Sequence, residues 1–334
     1  MNILVTGSSG FIARFLIPQL LERGHNVVGI DKHVGGNFGA GVRFVQADIL
    51  DWDALEKVMP KSDLVIHLAA EHKDFGVPED RYYQVNVEGT KSLLQCASQQ
   101  NVRSFIFLSS VAVYGERPTP TDETLVPAPD LPYGKSKLMA EQAIYAWVSQ
   151  GADRRAVIIR PTVIFGPHNY QNMYRLIQSI AKGRYVGVGN GANIKSVGYV
   201  ENVVAATVFL MEQMTAGMEI YNYADSPHLI TRDLVSCIAN ALQVRIPSIH
   251  IPKMLALACA FPFDILAKVT GMDLPLTAKR VEKFTAITHH QATKILNIGF
   301  VPPYMLESAI RKTVAWYTAD ERASHVEGRR SDTT

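Results

Sequence analysis

Apolar residues along the first 225 or so positions fall into two alternating rhythms. Short, almost wholly apolar runs at 3–6, 26–31, 42–47, 64–68, 104–108 and 156–160 are bounded by Gly, Asp, Asn or Ser. Between them lie longer stretches, at 11–23, 53–59, 82–99 and 135–148, whose apolar positions recur every three or four residues. The first rhythm predicts strands covered on both faces; the second predicts amphipathic helices. Such alternation predicts parallel strands with crossover helices on both faces, a doubly wound α/β sheet.

After Gly166-Pro167 the texture changes. Residues up to 193 are rich in Asn, Gly and Tyr around one helical run at 173–182, after which 197–200 reads as a strand and 203–212 as a helix. From about Pro227 the chain is irregular and punctuated by proline, until a final helix at 306–317. These shifts predict two domains: 1–166 with 196–226, carrying the sheet, and a smaller discontinuous α/β domain at 167–195 with 227–318. Residues 319–334 are polar and charged and are expected to be a disordered tail.

Composition narrows the function classes. The chain has 334 residues, 47% hydrophobic and 19% charged, with a net charge of +2. Nothing in that balance marks a nucleic-acid-binding face. Three scattered cysteines, Cys96, Cys237 and Cys259, show no metal-ligand spacing and suit a reducing, cytoplasmic setting. The first apolar run flows straight into a glycine turn, as a strand does and a secretory leader does not. The apolar run at 254–267 contains Pro262 and Asp264 and is shorter than the ~20 residues that span a bilayer. It reads as a buried or ligand-facing helical segment, with lipid contact as the alternative.

The most pointed local signal is Thr6-Gly7-Ser8-Ser9-Gly10-Phe11-Ile12-Ala13, a glycine turn between a predicted strand and a predicted helix. Gly7 and Gly10 let backbone approach a pyrophosphate closely, and the helix N-terminus favours an anion. Gly7, Ser9, Gly10, Phe11 and Ile12 are therefore candidate dinucleotide contacts, and the sheet is expected to be Rossmann-type. Asp31 closes the next strand, where a carboxylate binds ribose hydroxyls and repels a 2′-phosphate; NAD(H) is favoured over NADP(H), a preference that Lys32 softens. Asp48-Ile49 follows the third strand and is expected to meet adenine. Both aspartates also suit plain strand-end capping. Leu68-Ala69-Ala70 ends the fourth strand with small residues that let backbone pass near a cofactor, and His67 reads as a packed histidine.

A second signal is Ser109-Ser110 followed by Tyr133-Gly134-Lys135-Ser136-Lys137. Phenols are poor bases at neutral pH. Lys137, four residues on, shares a helical face with Tyr133, and its ammonium stabilises a phenolate. Tyr133 then exchanges the proton of a hydroxyl while hydride moves at the same carbon, and Ser110 holds that oxygen.

On these residues the chain resembles the extended short-chain dehydrogenases/reductases of the nucleotide-sugar epimerase/dehydratase group. Further matching segments are His67–Ala70, Val85-Asn86-Val87-Glu88-Gly89-Thr90 and the run from Arg160 to Pro167. The resemblance implies Tyr133 as acid/base, Lys137 as ribose ligand and tuner of Tyr133, Ser110 as hydroxyl partner, Pro161 among the cofactor contacts and Asn86 beneath the site. It also implies a nucleotide-diphosphate sugar as substrate, with Val111, Asn169 and Lys195 as candidate contacts, and a homodimer as assembly.

Departures from the group's patterns sort the reactions. Dehydratases carry Thr-Asp-Glu where this chain has Ser110-Val111-Ala112, and valine and alanine cannot carry an elimination proton. Many epimerases carry asparagine at the position of Val163, which weakens that likeness. The first reading is therefore an NAD(H)-dependent nucleotide-sugar ketoreductase/dehydrogenase acting at C4. The alternatives are a C4 epimerase using the same residues twice, a 3β-hydroxysteroid-dehydrogenase-like enzyme, and a dinucleotide-binding protein without catalysis, which the retained Tyr133 and Lys137 disfavour.

Overall fold

Six of the predicted strands assemble, in the computed structural model, with a seventh that the apolar pattern does not predict, into one parallel sheet. The structure describes residues 1–33, 41–59, 61–73, 76–117, 120–246, 250–270 and 277–331. Two units emerge: Met1–Thr162 with Val200–Ala224 and His290–Pro303, and Val163–Tyr199 with Asp225–His289 and Tyr304–Thr334.

The first unit holds the main sheet: β1 (Asn2–Thr6), β2 (Asn26–Asp31), β3 (Val42–Gln46), β4 (Leu64–His67), β5 (Ser104–Leu108), β6 (Arg155–Pro161) and β7 (Gly217–Tyr223). Their spatial order is β7-β6-β5-β4-β1-β2-β3. The order reverses between β1 and β4, where Thr6 pairs with His67. In sheets of this kind the loops leaving the two carboxyl ends diverge at such a switch point, and the crevice there is where ligands bind. β4 and β5 are buried along their whole length, as sheets covered on both faces require. One face packs Leu4, Val65, Phe105 and Ile158 against Leu93, Ile144 and Trp147 of the Gly89–Gln99 and Pro132–Val148 helices. Each such side chain contributes about 1.5–3 kcal/mol by leaving water.

Three helix starts show local sequence logic. Asp51 caps Trp52–Val58 by accepting from Ala54 N at 3.1 Å. Pro132 opens Pro132–Val148, where its missing N–H has no helical partner to lose. A π-turn, Tyr83–Glu88, precedes Gly89–Gln99 and carries the buried Asn86, a distortion typical of functional positions.

The structure corrects three boundary expectations. The strand expected at 197–200 does not return to the main sheet; Val197–Tyr199 pairs with Val163–Phe165 in a small sheet of its own. The seventh strand is Gly217–Tyr223, whose Glu219 and Asn222 broke the apolar pattern. Secondly, His290–Pro303 belongs with the sheet: Lys294 donates to Glu219 at 2.6 Å and to the Ile220 carbonyl at 2.9 Å, and Phe300 packs on Phe209 and Tyr223. Thirdly, the tail expected to be disordered from 319 is helical as far as Ser331, in Leu306–Ser331. Polar contacts hold its middle: Asp320 accepts from Tyr170 Oη at 3.2 Å and Glu321 from Gln178 Nε2 at 3.1 Å. Residues 332–334 lie outside the described residues.

The second unit packs Asn172–Ala181, Thr231–Leu242 and Leu306–Ser331 together, with Lys253–Thr270 lying against Ala278–Thr285. Three two-stranded pairings complete it: Val163–Phe165 with Val197–Tyr199, Ile194–Lys195 with Leu229–Ile230, and Gly187–Val188 with His250–Ile251.

Candidate active site

The glycine turn leaves β1 with Gly7 at φ +68°, a conformation that a side chain strains, and the space is closed as well. A Cβ there would stand 2.6 Å from Ala69 N. Gly10 N donates to the Gly7 carbonyl at 3.0 Å, so the turn is tight, and Ala13–Glu22 begins directly beyond Phe11 and Ile12. Leu68 N donates to the Thr6 carbonyl and Ala69 N to Thr6 Oγ1, which fixes the Leu68–Ala70 backbone beneath Gly7.

Asp31 reaches back to the same turn. Its Oδ2 accepts from Ser9 N at 3.0 Å, and its Oδ1 accepts from His33 N at 2.9 Å. Lys32 is exposed at the edge. Asp48 turns the chain after β3, accepting from Leu50 N at 3.0 Å, and stands 3.8 Å from Arg81. Ile49 departs from expectation: its side chain is 4% exposed and belongs to the core. It packs where the absent side chain of Gly89 leaves room, a Cβ there falling 2.4 Å from Ile49 Cδ1. What Ile49 offers a ligand is backbone.

Beside this crevice stands the Pro132–Val148 helix. Lys137 is 2% exposed; its Nζ donates to the Leu108 carbonyl at 2.7 Å and lies 4.3 Å from the Phe107 ring centre. Burial pushes the Lys137 ammonium down to about 7, against the opposing pull of Glu141. Tyr133, one turn earlier, is half-buried with its ring edge-on to Tyr82 at 6.3 Å. Ser110 follows β5, and its Oγ caps the Val111–Tyr114 turn by accepting from Ala112 N at 3.1 Å. Pro161 is buried at the end of β6.

Asn86 lies beneath this helix. Its Oδ1 accepts from Glu71 N at 2.8 Å, and its Nδ2 donates to the Glu71 carbonyl and to Ser136 Oγ; Ser136 Oγ in turn donates to the Tyr133 carbonyl. One asparagine thus ties the loop after β4 to the helix turn that carries Tyr133. His67 is fully buried between Thr6 Oγ1 (2.7 Å) and Thr90 Oγ1 (3.0 Å) and is stacked on Phe107. Burial, with Lys137 nearby, holds its imidazole down to about 3. It is neutral and structural.

Sequence reasoning passed over a buried polar network one turn beyond Lys137. Glu141 takes Arg160 in a two-pronged pair, Nε to Oε1 at 3.0 Å and Nη2 to Oε2 at 2.5 Å, and accepts Ser109 Oγ at 2.5 Å. Arg160 Nη1 donates to Tyr114 Oη, Tyr114 Oη to Asn222 Oδ1, and Asn222 N to Glu123 Oε1. The available signal was a charged residue in each of two otherwise apolar patterns, Arg160 in β6 and Glu141 on the face of Tyr133 and Lys137.

The substrate candidates lie in separate settings. Val111 is half-buried in the turn after Ser110. In the second unit, Asn169 shapes its own loop, donating to the Ile164 carbonyl and accepting from Gln171 N. Lys195 donates to the Ala286 carbonyl at 2.7 Å.

The model of the NAD-dependent epimerase/dehydratase family matches residues 3–224, which take in the glycine turn, Ser110, Tyr133 and Lys137. The chain belongs to that family. It is 38% identical over 316 residues, 94% of this chain and 95% of the other, to an N-acetyl-alpha-D-glucosaminyl-diphospho-ditrans,octacis-undecaprenol 4-epimerase of Escherichia coli O157:H7. It is 27% identical to a UDP-glucose 4-epimerase of Vibrio cholerae, covering 96% of this chain and 97% of that one. Among solved structures it resembles a UDP-glucuronic acid 4-epimerase from Bacillus cereus in complex with NAD, with a TM-score of 0.77 at 22% identity over 96% of this chain and 99% of that one. This last likeness concerns the fold. The comparisons fit the epimerase alternative better than the ketoreductase reading: the two sequence relatives are 4-epimerases, one of them 38% identical over 94% of this chain despite Val163.

Proposed function

We propose that this member of the NAD-dependent epimerase/dehydratase family is a C4 epimerase of a diphosphate-linked N-acetylhexosamine, carried on a polyprenyl lipid. The observation that carries the chemistry is Tyr133 and Lys137 one helical turn apart beside the switch-point crevice. The diphosphate-lipid carrier is supported by the 38% relative.

The residues fit NAD. Gly7 and Gly10 form a tight turn that carries no side chains and runs into the start of Ala13–Glu22, so backbone can approach a pyrophosphate, and Asp31 accepts from Ser9 N of the same turn, the position from which a carboxylate binds adenosine ribose hydroxyls. Gly7 to Ile12 would hold the pyrophosphate, Asp48 and the Ile49 backbone the adenine, and Leu68–Ala70, Pro161 and Lys137 the nicotinamide half. A carboxylate at Asp31 opposes a 2′-phosphate, which favours NAD over NADP. The bound cofactor supplies an acceptor, and then a donor, for one hydride.

Tyr133 takes the proton of the C4 hydroxyl and later returns it to the same oxygen. Lys137, pinned by the Leu108 carbonyl, keeps positive charge near the phenol and favours the phenolate. Ser110 orients the sugar oxygen. The ketone formed between the two transfers turns over in the pocket, so no net oxidation occurs. Val111 and Ala112, in the turn after Ser110, offer no proton for elimination.

The test is incubation of the purified enzyme with a lipid-linked N-acetylglucosaminyl diphosphate and with UDP-N-acetylglucosamine, with no cofactor added. Expected is the C4 epimer, formed faster from the lipid-linked substrate, with turnover lowered about a hundredfold or more by Tyr133→Phe. Stoichiometric consumption of added NADH, with a reduced product, would return the assignment to a ketoreductase.

A further inference from the structure

The Lys253–Thr270 helix of the second unit is built inside out. Ala256 and Ala260 are its buried face, packed with Val281 of Ala278–Thr285. Asp264 also points inward, both its oxygens accepting from Ala278 N at 3.2 Å. The exposed arc is apolar: Met254 (78% exposed), Leu255 (53%), Phe261 (65%) and Phe263 (39%), with exposed Ala258 and Pro262 between them. At 1.5 Å per residue, 254–263 is a strip roughly 14 Å long. A contiguous apolar strip of this kind on a surface marks a contact site.

The charge of the surrounding sequence selects the occupant. Residues 245–283 contain six basic side chains (Arg245, Lys253, Lys268, Lys279, Arg280 and Lys283) and three acidic ones (Asp264, Asp273 and Glu282). This stretch is net +3 in a chain that is +2 overall, so the remainder is slightly acidic. An apolar face within a locally basic segment fits an anionic bilayer surface. Another protein surface would supply the apolar contact but gives no reason for the charge. Among the described residues no helix is long and apolar enough to cross a membrane, and this one carries Pro262 within it. The geometry of a helix lying in the interface is the one that remains for it.

We propose that Lys253–Thr270 docks this enzyme onto an anionic bilayer, its outer arc immersed at the depth of the lipid headgroups. The choice of a membrane as occupant rests on the lipid-linked reading of the substrate, whereas the docking itself is measured without substrate.

The experiment is flotation of the full chain with two sets of vesicles, phosphatidylcholine alone and phosphatidylcholine with roughly one third phosphatidylglycerol. The wild type is expected to float with the anionic vesicles at least about tenfold more than with the neutral ones, and severalfold less in high salt, a readout that needs no variant. The double variant Leu255→Asp/Phe261→Asp is expected to stay behind while keeping the wild-type melting temperature and turnover of the UDP-linked sugar. Equal flotation of variant and wild type overturns the proposal. So does a wild type that never floats, or one whose apolar arc instead supports dimers that the variant loses. Flotation without turnover of lipid-linked sugar refutes the substrate reading and leaves the docking standing; turnover of that sugar in detergent without flotation does the reverse.

Discussion

Replacing Glu141 with glutamine tests whether the network behind Lys137 is a structural strut, a tuning device or both. Glu141 is 4% exposed and Arg160 is 3% exposed, so neither charge is appreciably hydrated. Glutamine keeps the volume and part of the hydrogen bonding but leaves the guanidinium uncompensated in the interior. Breaking such a pair from one side costs about 3–5 kcal/mol. With an unfolding entropy of about 2.1 cal/mol/K per residue, the 334 residues give roughly 0.7 kcal/mol/K. The melting temperature should therefore fall by about 4–7 °C. Removing both charges, as Glu141→Leu with Arg160→Met, should restore much of that loss, because an apolar pair of similar volume has no unmatched charge to bury. Differential scanning calorimetry on the wild type, Glu141→Gln, the singles Glu141→Leu and Arg160→Met, and the double variant measures the coupling. A melting point within about 1 °C of wild type for Glu141→Gln, or a double variant worse than the sum of the singles, would show that the pair carries no such energy.

The same substitution has a catalytic signature. The Glu141 carboxylate opposes the burial that lowers Lys137 to about 7. Without it the ammonium loses its proton at lower pH, and Tyr133 loses a positive neighbour. The alkaline limb of the kcat profile should therefore move to lower pH, while a purely structural loss would lower kcat equally at every pH.

Three further outcomes follow from the geometry. Gly7→Ala should cost about 1–2 kcal/mol for the left-handed backbone alone, and more because its Cβ meets Ala69 N; co-purified NAD, read by absorbance after denaturation, should fall sharply. His67 is held neutral down to about 3, whereas in the unfolded chain it takes a proton near 6.5. Its folded-state pKa being depressed, stability should fall as pH drops through the window from about 6.5 to 3, by up to about 1.4 kcal/mol per unit, and His67→Gln should remove that slope from urea titrations. Asp31→Ser should raise NADP affinity relative to NAD by removing the carboxylate that opposes a 2′-phosphate, as competition binding with the two cofactors would show; an unchanged ratio would take Asp31 out of the adenosine subsite.

What the sequence made legible was whatever repeats locally. The buried runs of β1, β4 and β5 and the glycine turn each carry their signal within a dozen residues, and Tyr133 and Lys137 are linked by a single helical turn. What it hid depends on pairings between distant segments. The seventh strand was obscured because Asn222 is buried to meet Tyr114, 108 positions away, and a polar residue in a strand reads as a break until its partner is known. Glu141 and Arg160 each look like an error in an apolar pattern, and together they neutralise one another. The sequence does not show that the side chain of Ile49 is core and that only its backbone is open to a ligand, because the glycine that receives this side chain, Gly89, is 40 positions on. The outer arc of Lys253–Thr270 is the opposite case. Its apolar residues are plain in the sequence, but they fit a buried, a ligand-facing or a lipid-facing segment alike, because composition cannot say which side of a helix has a neighbour. Only with Ala256, Ala260 and Asp264 assigned to the inner face do Met254, Leu255 and Phe261 become a surface. A deviation from pattern thus has two meanings here: a charge inside the fold is answered by another charge, and an apolar face outside it is answered by a partner beyond the chain.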